Sequence, residues 1–244
     1  MAEDYFGGDV AARYDEGLGR WGESEVVEQT VDFLFGLAGG GAALELGIGT
    51  GRIALPLAAR GVRVHGIDLS EAMVARLRAK PGGDAVGVTI GDFATTRVEG
   101  TFALAYLVFN TIMNLTTQEA QVACFQNVAA QLGPGGCFVV EVGMPQLQRL
   151  PAGQIIHPFY YQSPTLFGFD EYDIANQGLI SHHYAEREGT FGPWSIPFRY
   201  VWPSELDLMA RLAGMRRRER WSGWLREPFT SESGKLVGVW EKPV

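Results

Sequence analysis

Glu45 and three glycines at alternate positions, Gly47, Gly49 and Gly51, are the residues whose types and spacing point most directly to chemistry. They close a short apolar run, Ala43-Leu44-Glu45-Leu46, and precede a helix-like stretch. Glycine admits left-handed backbone angles and lets bare N–H groups approach a ligand. At the carboxyl edge of a parallel sheet that ligand is a nucleoside. A dinucleotide fingerprint needs G-x-G-x-x-G, and here its third place falls on Arg52. The NAD-dehydrogenase alternative therefore lacks a glycine. Asp68 ends a second apolar run, Val64-His65-Gly66-Ile67-Asp68, where a carboxylate can accept both ribose hydroxyls. Ser70 is the better N-cap for the following helix, which leaves Asp68 for a ligand. Gly91-Asp92-Phe93 follows a third run and reads as a turn or, in register with the first two, as a site.

With the acid in front, the pattern E-x-G-x-G-x-G resembles motif I of the class I S-adenosyl-L-methionine (SAM) dependent methyltransferases. The resemblance implies SAM as cofactor and S-adenosyl-L-homocysteine as its product. It implies that Glu45 helps hold the cofactor's ammonium while Gly47, Gly49 and Gly51 lie against its methionine part. Leu69 would lie on one face of the adenine, Asp92 would accept from the adenine amino group, and Phe93 would stack on the ring. Leu107-Val108-Phe109-Asn110-Thr111-Ile112-Met113-Asn114 would leave the fourth strand under the sulfonium, which brings Phe109 into the cofactor site. A dehydrogenase leaves Asp92-Phe93 unexplained. Nucleic-acid amino methyltransferases carry an Asp/Asn-Pro-Pro-aromatic element at this place, and this chain has no proline there.

Methyl transfer from a sulfonium is an in-line displacement, so the protein's main task is to hold a nucleophile in a dry pocket. An amine must be neutral, and an alcohol or phenol needs a base. Ala11-Ala12-Arg13-Tyr14-Asp15 resembles the helical cap of small-molecule methyltransferases, including the nucleotide-amino-sugar N,N-dimethyltransferases, which implies Tyr14 as a cofactor and substrate contact near the methyl group. Those enzymes place a histidine where this chain has Asn114. Asparagine can orient an acceptor but cannot act as a base. The base candidates are His157, His182, His183 and Glu141. Neighbours on a strand face opposite ways, so at most one of His182 and His183 faces a pocket. Tyr160, Tyr161, Trp194 and Tyr200 are candidates for an aromatic wall, with a core for their own layer as the alternative. Tyr14, Asn114, Glu141 and His183 are the residues expected nearest the chemistry.

The elements that must position these residues alternate between strand and helix. Helical spacing predicts helices over residues 9–20 and 23–37, then Arg52–Arg60, Ser70–Lys80 and Gln118–Leu132. Strands are expected at Ala42–Leu46, Val62–Ile67, Val86–Ile90, Phe102–Phe109 and Cys137–Val142, with Gly133-Pro134-Gly135-Gly136 ending the long helix. Phe102–Phe109 is nearly unbroken apolar sequence, as a parallel strand covered on both faces requires. Then the period changes. Phe167–Ile174, Leu179–Glu188 and Trp194–Trp202 alternate like antiparallel strands, with turns near Asn176-Gln177-Gly178 and Gly189-Thr190. Pro203-Ser204-Glu205 opens a last helix, closed by Gly214, and strands near 215–222 and 235–241 finish the chain. The expected fold class is α/β: a Rossmann-like, doubly wound, seven-stranded, mostly parallel sheet with an inserted antiparallel β-layer. Residues 1–40 would form a helical cap, 41–150 and 203–244 the SAM-binding domain, and 151–202 a β lid or substrate region, with a structural insert or dimer face as its alternative.

Composition narrows the partners. The 244 residues carry a net charge of −8, which makes nucleic acid an unlikely ligand. Arg216-Arg217-Arg218 reads as a solvated edge strand. Cys124 and Cys137 sit in apolar surroundings and read as buried free thiols, and no metal-ligand spacing appears. No signal peptide or membrane span is evident, which makes a cytoplasmic protein the expectation. The expected activity is methyl transfer to nitrogen or oxygen of a small-molecule acceptor. A protein methyltransferase and a non-catalytic SAM-binding protein are the rivals, and a homodimer is the assembly to consider.

Overall fold

The computed structural model describes residues 4–15, 23–163, 166–187 and 190–244. The helical reading of residues 16–20 and the turn at Gly189 lie outside them, as do the side chains of Tyr160 and Tyr161. The chain opens with α1 (Gly8–Arg13) and α2 (Ser24–Ala38), then alternates β1 (Ala43–Leu46), α3 (Ala54–Ala59), β2 (Val64–Asp68), α4 (Glu71–Arg78), β3 (Gly87–Ile90), β4 (Phe102–Leu107), α5 (Gln118–Gln131) and β5 (Leu132–Gly143). A second group follows: β6 (Ile156–Ser163), β7 (Leu166–Asp173), β8 (Gly178–Arg187) and β9 (Thr190–Arg199). The chain then closes with α6 (Pro203–Leu212), β10 (Arg216–Trp221) and β11 (Lys235–Glu241).

Seven strands form one sheet in the order β10-β11-β5-β4-β1-β2-β3. All neighbours from β5 to β3 run parallel, and β11 runs antiparallel to both β5 and β10. The chain moves outward from β1 to β3 and then returns to the other side of β1 as β4. That reversal opens a crevice at the carboxyl ends of β1 and β4, the place where open α/β sheets bind ligands. The two faces of β4 explain its apolar run. Leu104 and Tyr106 enter the core on one side of the sheet, Ala105 and Leu107 the core on the other.

Local sequence accounts for most boundaries. Gly39, with φ +54°, ends α2; Ser70 caps α4 by accepting from Met73 N; Pro203 stands in the first turn of α6. Two expectations are corrected. β5 begins at Leu132, not Cys137, because Leu132 pairs with Phe102 and Gly135 and Gly136 exchange backbone hydrogen bonds with Lys242. Lys242 Nζ also satisfies the Ala129 and Leu132 carbonyls at the end of α5, at 2.8 and 2.6 Å. The second correction is β6, which period-2 reasoning missed. The antiparallel sheet has four strands in the order β6-β7-β8-β9. Pro158 interrupts the pattern of β6, and Pro193 and Pro197 that of β9; these are the two edge strands, where a missing N–H is tolerated.

The antiparallel sheet is rooted beside the crevice. Tyr172, Leu179 and Tyr200 share a core with Ile112 and Met113, and Gln146 N donates to the Tyr172 hydroxyl at 3.4 Å. Arg216, Arg217 and Arg218 lie exposed on β10, an edge strand of the main sheet, as expected.

Candidate active site

The turn after β1 is built from left-handed angles at alternate residues: φ is +70° at Gly47, +55° at Gly49 and +78° at Gly51. L-residues adopt such angles at a cost of about 1–2 kcal/mol each. Gly47 is also too close to its neighbour for a side chain, since a Cβ there would stand 2.6 Å from Thr111 Cγ2. Thr111 begins the short 3₁₀ turn Thr111–Asn114 after β4, so the glycine turn and this segment pack directly together.

Asp68 stands at the end of β2, buried, with burial pushing its carboxyl above the usual carboxylate range despite its hydrogen bonds. Its Oδ2 accepts from Gly49 N at 2.6 Å and its Oδ1 from Ser70 N at 2.9 Å. The carboxylate thus shapes the glycine turn as well as facing the crevice, and each oxygen keeps a further acceptor position. Leu69 is half-buried beside it. Asp92 binds locally through Oδ1, which accepts from Ala94 N at 2.9 Å, while Phe93 packs into the main core.

Glu45 is buried in β1, and Tyr106 of β4 donates a hydroxyl hydrogen bond to its Oε2 at 3.0 Å. Burial pushes the Glu45 carboxyl up to about 8, against the pull of the Tyr106 hydrogen bond and the Arg52 charge. Arg52 lies over the Phe109 ring at 5.4 Å, a cation–π contact. Phe109 and Asn110 both have left-handed φ, +56° and +63°, two strained residues in succession at the end of β4. Cross-links from β5 hold them there. Phe109 N donates to Glu141 Oε2 at 3.0 Å, and Asn110 Oδ1 accepts from Gly143 N at 2.6 Å. Tyr14 reaches the same place from the amino-terminal segment. Burial pushes its phenol up to about 12, with Arg52, Asp68, Asp15 and Glu45 among the surrounding charges.

At the end of the 3₁₀ turn, the side-chain oxygen Oδ1 of Asn114 is buried without a hydrogen-bond partner among the described residues. Glu141 is fully engaged by neighbouring groups. Its Oε1 accepts from Trp224 Nε1 at 3.1 Å and from Lys235 Nζ at 3.2 Å, while Oε2 holds Phe109 N. A buried carboxylate with three donors, one of them an ammonium, clamps β4, β5 and β11 together. His183 stacks on Trp194 with centroids 4.9 Å apart and planes 9° apart, with Phe159 at 5.4 Å. Burial, helped by His182, lowers His183 to about 4, so the ring is neutral at pH 7 and a weak proton acceptor. His182 turns to the opposite face and meets Ser195 Oγ at 2.8 Å and Glu171 Oε2 at 3.3 Å. His157 is opposite Asp170, on the same face as His183. Tyr200 is a core residue, 2% exposed and set edge-on to Tyr172, the core alternative of the two readings of the sequence.

A methyltransferase-domain family model matches residues 43–136. The CcbJ methyltransferase from Streptomyces caelestis is 34% identical, covers 96% of both chains and superposes with a TM-score of 0.86. This chain belongs to the class I SAM-dependent methyltransferases. The methyltransferase is also 27% identical over 206 residues to a cypemycin N-terminal methyltransferase from Streptomyces sp, covering 83% of this chain and 84% of that protein. SAM-bound CalS10, an amino pentose methyltransferase from Micromonospora echinaspora, shares the fold with a TM-score of 0.69 at 21% identity over 95% of each chain. SAM is the methyltransferase's methyl donor.

The crevice fits that donor. Gly47 lies so close to Thr111 that a Cβ there would collide with it, and Glu45 is a carboxylate that a cofactor ammonium would ionise. Sequence reasoning missed Tyr106, Thr50 and Lys80 as residues that brace the glycine turn and its neighbours. A tyrosine inside a fully buried strand was the available signal for Tyr106, because its hydroxyl needs a partner. For Thr50 and Lys80, which meet Asp15, no local signal exists.

Proposed function

We propose that this methyltransferase transfers the SAM methyl group to the nitrogen of a small-molecule amine. The observation that carries the reading is the Asn114 Oδ1, a buried acceptor one turn from the residue packed on Gly47. An unpaired buried acceptor costs about 1–3 kcal/mol, and an amine N–H offers the missing donor. A neutral amine needs no strong base, in keeping with a Glu141 held by Lys235 and a His183 held near 4. The names of the relatives, a cypemycin N-terminal methyltransferase and an amino pentose methyltransferase, support the same acceptor chemistry.

In this reading Glu45 meets the cofactor ammonium, Asp68 the ribose and Asp92 the adenine amino group, with Leu69 and Phe93 flanking the ring. Phe109 and Tyr14 bound the methyl group, and SAM supplies that methyl on a sulfonium that is its own leaving group. The amino-terminal segment acts as a cap, and the antiparallel sheet, with His183 and Trp194 on its inner face, acts as the acceptor wall. Its outer face exposes Phe167 and Ile180 and is the surface on which a homodimer would form. Free, buried Cys124 and Cys137 support a reducing, cytoplasmic setting. No described helix is long and apolar enough to cross a membrane.

The test is methyl-labelled SAM with paired acceptors that differ only in an amine or a hydroxyl. Label transfer to the amines alone is expected, with Asn114→Ala raising the amine KM. Transfer to hydroxyls, or an Asn114→Ala enzyme with unchanged KM, overturns the reading.

A further inference from the structure

The residue after Tyr14 carries a contact that the site described above does not use. Asp15 Oδ1 accepts from the Thr50 hydroxyl at 2.6 Å, and its Oδ2 pairs with Lys80 Nζ at 2.7 Å. The same ammonium donates to the Thr50 carbonyl at 2.9 Å. Three groups from three elements thus close on one another: the amino-terminal segment, the glycine turn and the end of α4. Thr50 lies between Gly49 and Gly51 and is buried, so its carbonyl and hydroxyl have fixed positions. Lys80 is rooted as firmly, because its N–H bonds Leu77 O at 3.0 Å and its carbonyl accepts from Gly83 N at 2.9 Å. Asp15 is the partner that can leave. α1 packs on α4, and within the segment Val10 N and Tyr14 N bond the Gly7 and Ala11 carbonyls. Burial alone would raise the Asp15 carboxyl, but its bonds to Lys80 and Thr50 outweigh it and hold the group below the usual carboxylate range.

We propose that Lys80, with Thr50, is a positioning residue that clasps Asp15 and so holds Tyr14 across the cofactor crevice, and that opening of this clasp governs cofactor exchange. The proposal rests on the reading of Tyr14 as a contact near the methyl group. Asp15 and Lys80 are each about one-third exposed, so the clasp is a partly solvated pair on a short segment, strong enough to bias a closed state and weak enough to open. The Thr50 carbonyl makes the clasp report on the glycine turn. A turn displaced by an ill-fitting ligand moves one of the two oxygens that fix the ammonium.

The experiment compares wild type with Lys80→Met, Lys80→Arg and Tyr14→Phe. Release of S-adenosyl-L-homocysteine is followed by stopped-flow displacement, and hydrogen exchange of residues 8–13 is followed on the ligand-free protein. In Lys80→Met the release rate rises about fivefold, exchange of residues 8–13 accelerates, and the melting temperature stays within a few degrees. Lys80→Arg restores most of the slow release, since a guanidinium can serve both oxygens. Unchanged release and exchange in Lys80→Met overturn the proposal. A lowered melting temperature with unchanged release does so too, because the contact would then be structural only. If Lys80→Met behaves as expected while Tyr14→Phe leaves turnover intact, the clasp stands and the Tyr14 reading falls.

Discussion

Binding of the cofactor should expel a proton from Glu45. In the ligand-free protein burial lifts this carboxyl from 4.5 to about 8, and its nearest partner is the Tyr106 hydroxyl, a neutral donor. At pH 7 a group of that strength is about 0.9 protonated. An ammonium brought against it favours the carboxylate, so binding releases close to one proton. Linkage then makes Kd fall about tenfold per pH unit over the two units below about 8. Above that the ligand's own α-amino group, ordinarily near 8, begins to lose its charge and the gain stops. The assay is titration calorimetry with S-adenosyl-L-homocysteine at pH 7 in buffers of different ionisation enthalpy. Glu45→Gln abolishes the release and flattens the pH dependence, and its affinity deficit widens between pH 6 and 8 toward the tenfold or more that a lost charged hydrogen bond implies. Tyr106→Phe removes the larger of the hydrogen bonds that favour ionisation and moves the rise in affinity to higher pH. The stability of the ligand-free protein runs the other way. The Glu45 contribution is intact below about 4.5 and is lost as pH climbs to about 8, which thermal denaturation follows directly. Wild-type binding at pH 7 with no proton exchange and a pH-independent Kd would refute the reasoning. It would mean either that Glu45 is already ionised or that the ammonium lies elsewhere.

Two further outcomes are expected. Glu141→Gln destabilises the protein by about 2 kcal/mol, because an amide offers one acceptor oxygen to Trp224, Lys235 and Phe109 where the carboxylate offers two, and denaturant titration reads the loss; turnover lost at full stability would instead restore Glu141 as a base. Gly47→Ala weakens S-adenosyl-L-homocysteine binding by at least tenfold, from a left-handed φ worth about 1–2 kcal/mol and a Cβ 2.6 Å from Thr111 Cγ2. Thr111→Ser removes that methyl and recovers part of the loss; no recovery in the double variant would show that the contact is not what excludes a side chain.

The order of strands and helices was legible because each element is a local matter. Alternation, helical spacing, Ser70 at a cap and Gly39 or Gly214 at an end act within a few residues of themselves. The glycine turn was legible for the same reason: three left-handed angles at alternate places admit few other residues. The acids at the ends of β1, β2 and β3 followed from their positions once the strands were set. β6 and the first residues of β5 were not legible, because each is a strand only by virtue of the strand beside it. Side-chain use was decided by packing between distant parts of the chain. Glu141 became a clamp when β11 brought Lys235 against it and the loop after β10 brought Trp224. Tyr200 became core when the antiparallel sheet was rooted on Ile112 and Met113. Asp68 acquired a second task, holding Gly49 N, and Asp15 found Lys80 across 65 residues of sequence. Sequence determined that glycines and carboxylates would gather at strand ends, where open α/β sheets bind a nucleoside cofactor. Only the tertiary structure decided which of those carboxylates remain available to it, because a carboxylate's availability depends on the donors that folding places around it.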